Sequence, residues 1–282
     1  MSHLDNINTF ISKLKLFFPE TIEYEEKDRD IGVKRLLRRH TMYIDDSKTI
    51  TTINKDGDSI QPYSTSLDAV NNKTNVEILK KFLNILDINL GKIYKEVSHQ
   101  IYNNQKSWEV NKWEEMLSPG LIYVSYWRTD TDRDKSTDLQ PVLFLSFMLT
   151  EEIDVSRIGA IEFVVYLYEI QILPELRGLG IGQRLLGCLK DTSMGYNNCD
   201  GNSKSVFKND TIISAIVLTV FSENEVAIRF YKKLQFRYTV GSPRDELIDR
   251  IANRTRKRQS TANSVTNQHV IKPIYYLLHL PL

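Results

Sequence analysis

Apolar residues recur along this chain with two different periods, and the switches between them mark its elements. Between residues 5 and 18, Ile7, Phe10, Ile11, Leu14 and Phe17 fall at helical spacing. That spacing predicts a short amphipathic helix packed on a larger body, although a helix lying on a membrane surface has the same periodicity. Residues 45–75 are dense in Asp, Ser, Thr, Asn and Lys, and read as a loop or a poorly ordered segment. Thr74 and Glu77 then have capping-box spacing ahead of Ile78, Leu79, Phe82, Leu83 and Leu86, so a helix is predicted from residue 75 toward Lys95 or beyond. Further helical turns carry Trp108, Trp113 and Met116.

The period then shortens to two. Leu121–Trp127 and Pro141–Leu149 read as the strands of a hairpin across a charged connection, and Val164–Ile172 as a third strand. The third strand runs into a turn holding Arg177, Gly178, Gly180 and Gly182, followed by a helical stripe of Ile181, Leu185, Leu186 and Leu189. After a polar loop at 197–211 come a strand at 214–221, a helix at 223–234 presenting Ala227, Ile228, Phe230, Tyr231 and Leu234, and a strand at 236–240. Residues 241–268 are polar and carry Arg254, Arg256, Lys257 and Arg258, which suits a solvated loop, a nuclear-import signal or a contact patch for a substrate tail. Ile274–Leu278 has the composition of a last strand.

Alternating strands and helices around one apolar set imply a single α/β domain, which 282 residues can hold together with decoration. The division expected is an N-terminal extension over 1–75, partly helical and partly flexible, and a main domain over 76–282 with the polar loop near 241–268. Charge changes this picture little. A formal net charge of +1 supplies no global field to recruit nucleic acid or anionic lipid, so neither is an expected partner. Cys188 and Cys199 have no metal-ligand spacing, no metal is expected, and a reducing compartment is the simpler reading. With no apolar leader or spanning run visible, a soluble intracellular monomer is expected.

The chemistry gathers around 164–191. A strand that feeds a glycine-rich turn and a helix start exposes successive backbone N–H groups, which can cradle the phosphates of a ligand. The glycine spacing fits neither the dinucleotide fingerprint nor the P-loop. Glu169 interrupts an apolar strand, as an ion-pair or capping partner or as a base that orients water. Strict alternation places it with Leu167 and Gln171, opposite Tyr166 and Tyr168, so a site using all of these polar tips needs a bulge. Asn224 suits a helix N-cap, and Tyr231 is either a core aromatic or a donor at a site edge. Tyr94, Trp108, Trp113, Tyr123, Tyr126 and Trp127 form an aromatic surround, mostly for packing. The acidic run Glu151, Glu152 and Asp154 suits a cationic peptide or a solvated turn.

Arg177-Gly178-Leu179-Gly180-Ile181-Gly182 resembles the acetyl-coenzyme A loop of the GCN5-related N-acetyltransferase superfamily. With YLYEIQI, LTVFSENEVAIRFYKKLQF, NLGKIYKEV and WEVNKWEEM, residues 76–240 are similar to the NatD-type histone N-alpha-acetyltransferases. The resemblance implies a central mixed, splayed sheet flanked by helices, and transfer of acetyl from acetyl-CoA to the N-terminal α-amine of histones H4 and 2A, in nucleus and cytoplasm. It implies Glu169 as base or water-orienting group and Tyr231 as proton donor to the leaving thiolate. It assigns Ile170, Ile172, Arg177, Gly178, Gly180, Ile181, Gly182 and Asn224 to the cofactor, and Tyr94, Trp108, Glu151, Tyr166 and Tyr168 to the histone tail. Acetylation of other N termini, lysines or small amines on the same fold, and a weakly catalytic histone-tail binding module, are the alternatives.

Overall fold

The structure, a computed structural model, describes residues 3–28, 31–53, 67–128, 140–198, 212–249 and 268–282. Most of the connection after Arg128, the polar loop at 199–211 with Cys199, and the basic run at 254–258 lie outside the described residues.

Among the described residues, the chain builds one nine-stranded sheet and a separate two-stranded ribbon. In chain order the sheet strands are β1 (Thr21–Asp28), β2 (Ile31–Ile44), β3 (Ile50–Thr52), β4 (Ile122–Arg128), β5 (Pro141–Ile153), β6 (Ile161–Ile172), β7 (Ala215–Phe221), β8 (Arg237–Tyr238) and β11 (Tyr275–Pro281). Their spatial order is β1-β2-β4-β5-β6-β7-β11-β8, with β3 paired to β2. All these pairings are antiparallel except β6 with β7, which is parallel and gives the sheet its mixed character.

Helices cover both faces. On one face lie α1 (His3–Phe17), α4 (Ile181–Asn197) and α5 (Glu225–Lys233), whose apolar sides meet Leu145, Phe147, Val165, Leu167, Ile216 and Leu218 in one core. On the other, α2 (Leu67–Tyr102) and α3 (Trp108–Met116) bury Phe82, Leu86, Tyr94 and Trp108 against Tyr123 and Phe144. The expected N-terminal helix packs on α4. Its Ile7, Phe10, Ile11 and Leu14 are buried, and at roughly 1.5–3 kcal/mol per side chain this face holds it to the body. Phe17, predicted to join that stripe, is exposed at the helix end, and Phe18 is buried instead.

Three stretches differ from expectation. Thr21–Asp28 and Ile31–Ile44 form two long strands of the main sheet, so the sheet extends across the predicted division at residue 75. Thr74 is not a cap: α2 starts at Leu67, Glu77 pairs with Lys80 on the surface, and Asn75 donates to Ile50 O at 2.8 Å, tying the helix to β3. Within the predicted loop at 241–268, β9 (Glu246–Asp249) and β10 (Gln268–Ile271) pair as the ribbon, satisfying backbone groups that a loop would leave to water. Among the described residues no helix is long and apolar enough to cross a membrane.

Candidate active site

Two irregularities at the centre of β6 create the site. Ser146 pairs with Glu169 but Phe147 pairs with Leu167, so Tyr168 is an extra residue without a partner on β5. This bulge reverses the pleat for everything after it. Glu169 and Gln171 therefore turn to the face of α2 and α3, which Tyr166 already shares, while Ile170 and Ile172 join Leu167 against α4 and α5. Strict alternation had placed Glu169 with Leu167; the bulge overturns that.

The second irregularity is a divergence. The parallel pairing of β6 with β7 runs from Val164/Ala215 to Leu167/Leu218 and then stops. From Tyr168 to Ile172, the edge of β6 facing β7 carries no ladder. A cleft of about 1050 Å³ fills the gap, lined at one end by Arg177, Gly178, Gly180 to Gln183, Asn224 and Phe230, and at the other by Tyr94, Tyr102, Lys112 and Glu115. Tyr166 to Ile172 and Tyr231 form its waist.

At the glycine end, a 3₁₀ turn (Pro174–Leu176) leads into Arg177. Gly178 and Gly180 have φ of +78° and +76°, a region that favours residues without Cβ, and a Cβ on either would meet open space. Gly180 starts α4 without a side-chain cap, so the first N–H groups of a 17-residue helix point outward with the positive end of its dipole. Gly182 serves a different purpose: a Cβ there would lie 3.2 Å from both Ile172 and Phe230, so glycine lets α4, β6 and α5 close together. Asn224 is the N-cap of α5, accepting from Ala227 N at 3.1 Å, and also lines the cleft.

The centre holds a residue that sequence reasoning missed. Lys112 of α3 is buried, with its Nζ 2.7 Å from Glu169 Oε1 and 2.7 Å from Glu115 Oε2. Burial alone would discharge it; Glu169, Tyr94 and Glu115 outweigh that and hold its pKa well above the ordinary lysine value. The signal was present, since Lys112 sits four residues from both Trp108 and Met116, inside a buried helical stripe. The other oxygen of Glu169 accepts from Gln171 Nε2 at 2.7 Å, Gln171 Oε1 accepts from Asn89 Nδ2 at 2.9 Å, and Asn89 Oδ1 accepts from Arg177. A polar chain thus runs from the glycine turn through Glu169 to Glu115.

Tyr231 is buried in the cleft wall against Phe230 and Phe236, and burial, reinforced by the Glu169 charge, raises its pKa beyond the ordinary phenol range. Tyr166 donates to or accepts from Thr219 Oγ1 at 2.5 Å, and its phenol is pushed up to about 12, chiefly by burial. Tyr166 and Tyr168 pack at 5.0 Å between centroids.

The remaining predicted contacts fall differently. Tyr94 lines the cleft, but Trp108 stacks behind it at 5.1 Å and lies outside the lining, its Nε1 buried without a partner. Glu151 is exposed on the far face; its neighbour Glu152 shares the face of Tyr166 and acts on both tyrosines, and burial raises its pKa. Of the aromatic surround, Tyr126 belongs to the opposite face, where its hydroxyl donates to Pro19 O. Among the described residues, no His, Cys, Asp and Glu side chains are grouped to hold a metal ion.

No family model matches the sequence. N-alpha-acetyltransferase 40 of Saccharomyces cerevisiae is 34% identical over 237 residues, spanning 80% of this chain and 73% of the yeast protein. Among solved structures, Arabidopsis thaliana NAA60 in complex with acetyl-CoA aligns at TM-score 0.37 and 14% identity, over 67% of this chain and 90% of that one. Arabidopsis thaliana Naa50 with the bisubstrate analogue CoA-Ac-MVNAL aligns at TM-score 0.30 and 22% identity, over 57% and 72% of the two chains. Both structural likenesses are remote, whereas the yeast sequence match runs through most of both chains, and on that match this protein belongs to the N-alpha-acetyltransferase 40 family, the NatD-type branch of the GCN5-related N-acetyltransferases.

Proposed function

We propose that the protein transfers the acetyl group of acetyl-CoA to the N-terminal α-amine of histones H4 and 2A. The observation that carries this reading is the continuity of the cleft: one opening joins an anion-ready helix start to a buried carboxylate flanked by tyrosines. The residues present fit the cofactor. Open space at Gly178 and Gly180 and the uncapped N–H groups of α4 suit its pyrophosphate, and Ile172, Ile181, Ala227 and Phe230 offer an apolar wall for its arm.

When bound, the thioester supplies the acetyl carbon, to which the amine nitrogen bonds as the carbon–sulfur bond breaks. An α-amine has a reference pKa of about 7.7, so it needs only modest help to lose its proton near neutral pH. Glu169, through water, takes up that proton. The unpaired edge of β6 beyond Leu167 brings backbone N–H groups to where an oxyanion develops. Tyr231, kept protonated by burial, has a proton to give the leaving thiolate. Tyr94, Tyr166 and Tyr168 wall the narrow acceptor end, and Glu152 adds negative charge beside them.

The test pairs a peptide beginning Ser-Gly-Arg-Gly with the same peptide blocked at its α-amine, each incubated with acetyl-CoA. Acetylation of the free peptide alone is expected. Equal acetylation of both would remove the N-terminal assignment.

A further inference from the structure

We propose that Lys112 is a positioning residue for acetyl transfer: it fixes the aim of Glu169, and Glu115 holds its ammonium in place. The inference rests on the acetyltransferase reading of the cleft. A lysine is among the residues least often buried, and this one is buried on the wall of a reaction cleft, with its ammonium fully engaged. Its three N–H groups are directed to Glu169, Glu115 and the Tyr94 hydroxyl. Nothing is left to donate to a substrate, and a lysine held protonated is no nucleophile, so Lys112 acts through its carboxylate partners.

Between Lys112 on Oε1 and Gln171 on Oε2, the carboxylate of Glu169 is held at both oxygens on the cleft wall. Glu115 draws on the same ammonium at the same 2.7 Å, so the two carboxylates divide one positive charge. The other titratable groups facing this pair are Tyr94 and Tyr102 of α2, Tyr123 of β4, Tyr168 of β6 and Tyr231 of α5. Burial raises each of these phenols, so they stay neutral through the working range. Lys112 thus joins the two carboxylates directly, at 2.7 Å each.

The test is the split between kcat and KM of the full chain with acetyl-CoA and the Ser-Gly-Arg-Gly peptide. Lys112→Met should lower kcat by roughly 10–100-fold, the scale of a catalytic group misplaced by about 1 Å, with KM for both substrates within about threefold. Lys112→Arg, which keeps a donor for Glu169, should recover part of that loss. Coenzyme A affinity, read by titration calorimetry, should stay within about threefold in both, since the glycine turn is untouched. A folded Lys112→Met with wild-type kcat, or one that loses KM instead, overturns the assignment. If Lys112→Met does not fold, Glu115→Ala decides: a loss of kcat at constant KM supports it, and a wild-type kcat overturns it. A wild-type protein inactive on the peptide would instead refute the functional reading beneath it.

Discussion

Gly180 offers the cleanest way to separate the cofactor end of the cleft from its chemistry. Its φ of +76° lies where a residue with a Cβ is strained by about 1–2 kcal/mol, and a Cβ built there meets no atom within 4 Å. Gly180→Ala should therefore lose stability through backbone strain alone. At about 2–4 °C per kcal/mol for a domain of this class, that is a fall of about 2–8 °C in Tm. The larger effect should be on binding. The open space in front of the α4 N-terminus is what a pyrophosphate must enter to reach the exposed N–H groups, and a methyl group there pushes it outward. A rise of about tenfold in the KM for acetyl-CoA, about 1.4 kcal/mol, is expected, with kcat nearly unchanged because Glu169, Lys112 and Tyr231 are undisturbed. Gly187→Ala is the control: it lies inside α4 with open space around its Cβ and no positive φ, so it should gain about 0.4–1 kcal/mol and leave KM alone. Initial rates against acetyl-CoA at saturating peptide, with calorimetric titration of coenzyme A, read both variants. A Gly180→Ala enzyme with wild-type KM, or one that loses kcat at constant KM, would refute the phosphate cradle.

Three further outcomes follow from the geometry. Tyr231→Phe keeps the ring contacts with Phe230 and Phe236 but removes the proton donor, so kcat should fall up to about tenfold at constant KM for both substrates; an unaltered kcat takes Tyr231 out of the reaction. Trp108→Phe should destabilise by about 1–2 kcal/mol, less than the about 3–5 kcal/mol of truncating such a ring to alanine, and leave the peptide KM within about twofold. A tenfold rise would mean that Trp108 reaches the peptide after all. Burial lowers the pKa of His40 and of His279, so the unfolded chain takes up protons first as the medium acidifies. The stability they contribute is whole above pH about 6.5 and declines as pH falls through their folded pKa values. His279→Leu should shrink the difference in urea midpoint between pH 7.5 and pH 5.5, and an undiminished difference refutes this.

What could be read from the sequence was what local chemistry decides. The strand, turn and helix over 164–191 were legible because the left-handed glycines and the apolar stripe of α4 specify their conformations without help from distant residues. The helix after Asn224 was legible for the same reason, down to its cap. By contrast, β1 and β2 carry as many charges as apolar residues. Their inward positions, such as Ile22, Tyr24 and Leu37, declare themselves only once α1 and β4 are there to cover them. Lys112 was legible only in part: its spacing of four from Trp108 and Met116 marks a buried position, but its pairing with Glu169 depends on α3 and β6 meeting from distant parts of the chain.

The harder cases turn on single residues of register. In a strand the side-chain period is two, so a neighbour's fate is the opposite of one's own unless something intervenes. At Tyr168 something does: the bulge sends Glu169 to the face of Tyr166 and so toward Lys112, and without it the carboxylate would sit among Val165, Leu167 and the apolar side of α4. At Glu151 and Glu152 nothing does. Glu152 opposes Glu162, in phase with Met148 opposite Tyr166, and so it, rather than Glu151, stands beside the tyrosines. Residue type alone cannot tell two adjacent glutamates apart, and only the pairing of β5 with β6 does. The same pairing explains why the bulge sits where it does in relation to β7. The parallel ladder ends at Leu167, one residue before the bulge, so the point at which β6 changes face is also the point at which its free edge opens. A carboxylate and a strand edge without a β7 ladder are thereby delivered to one cleft by two adjoining irregularities of β6. That is why Glu169, the residue hardest to place from the pattern of the strand, lies at the centre of the site.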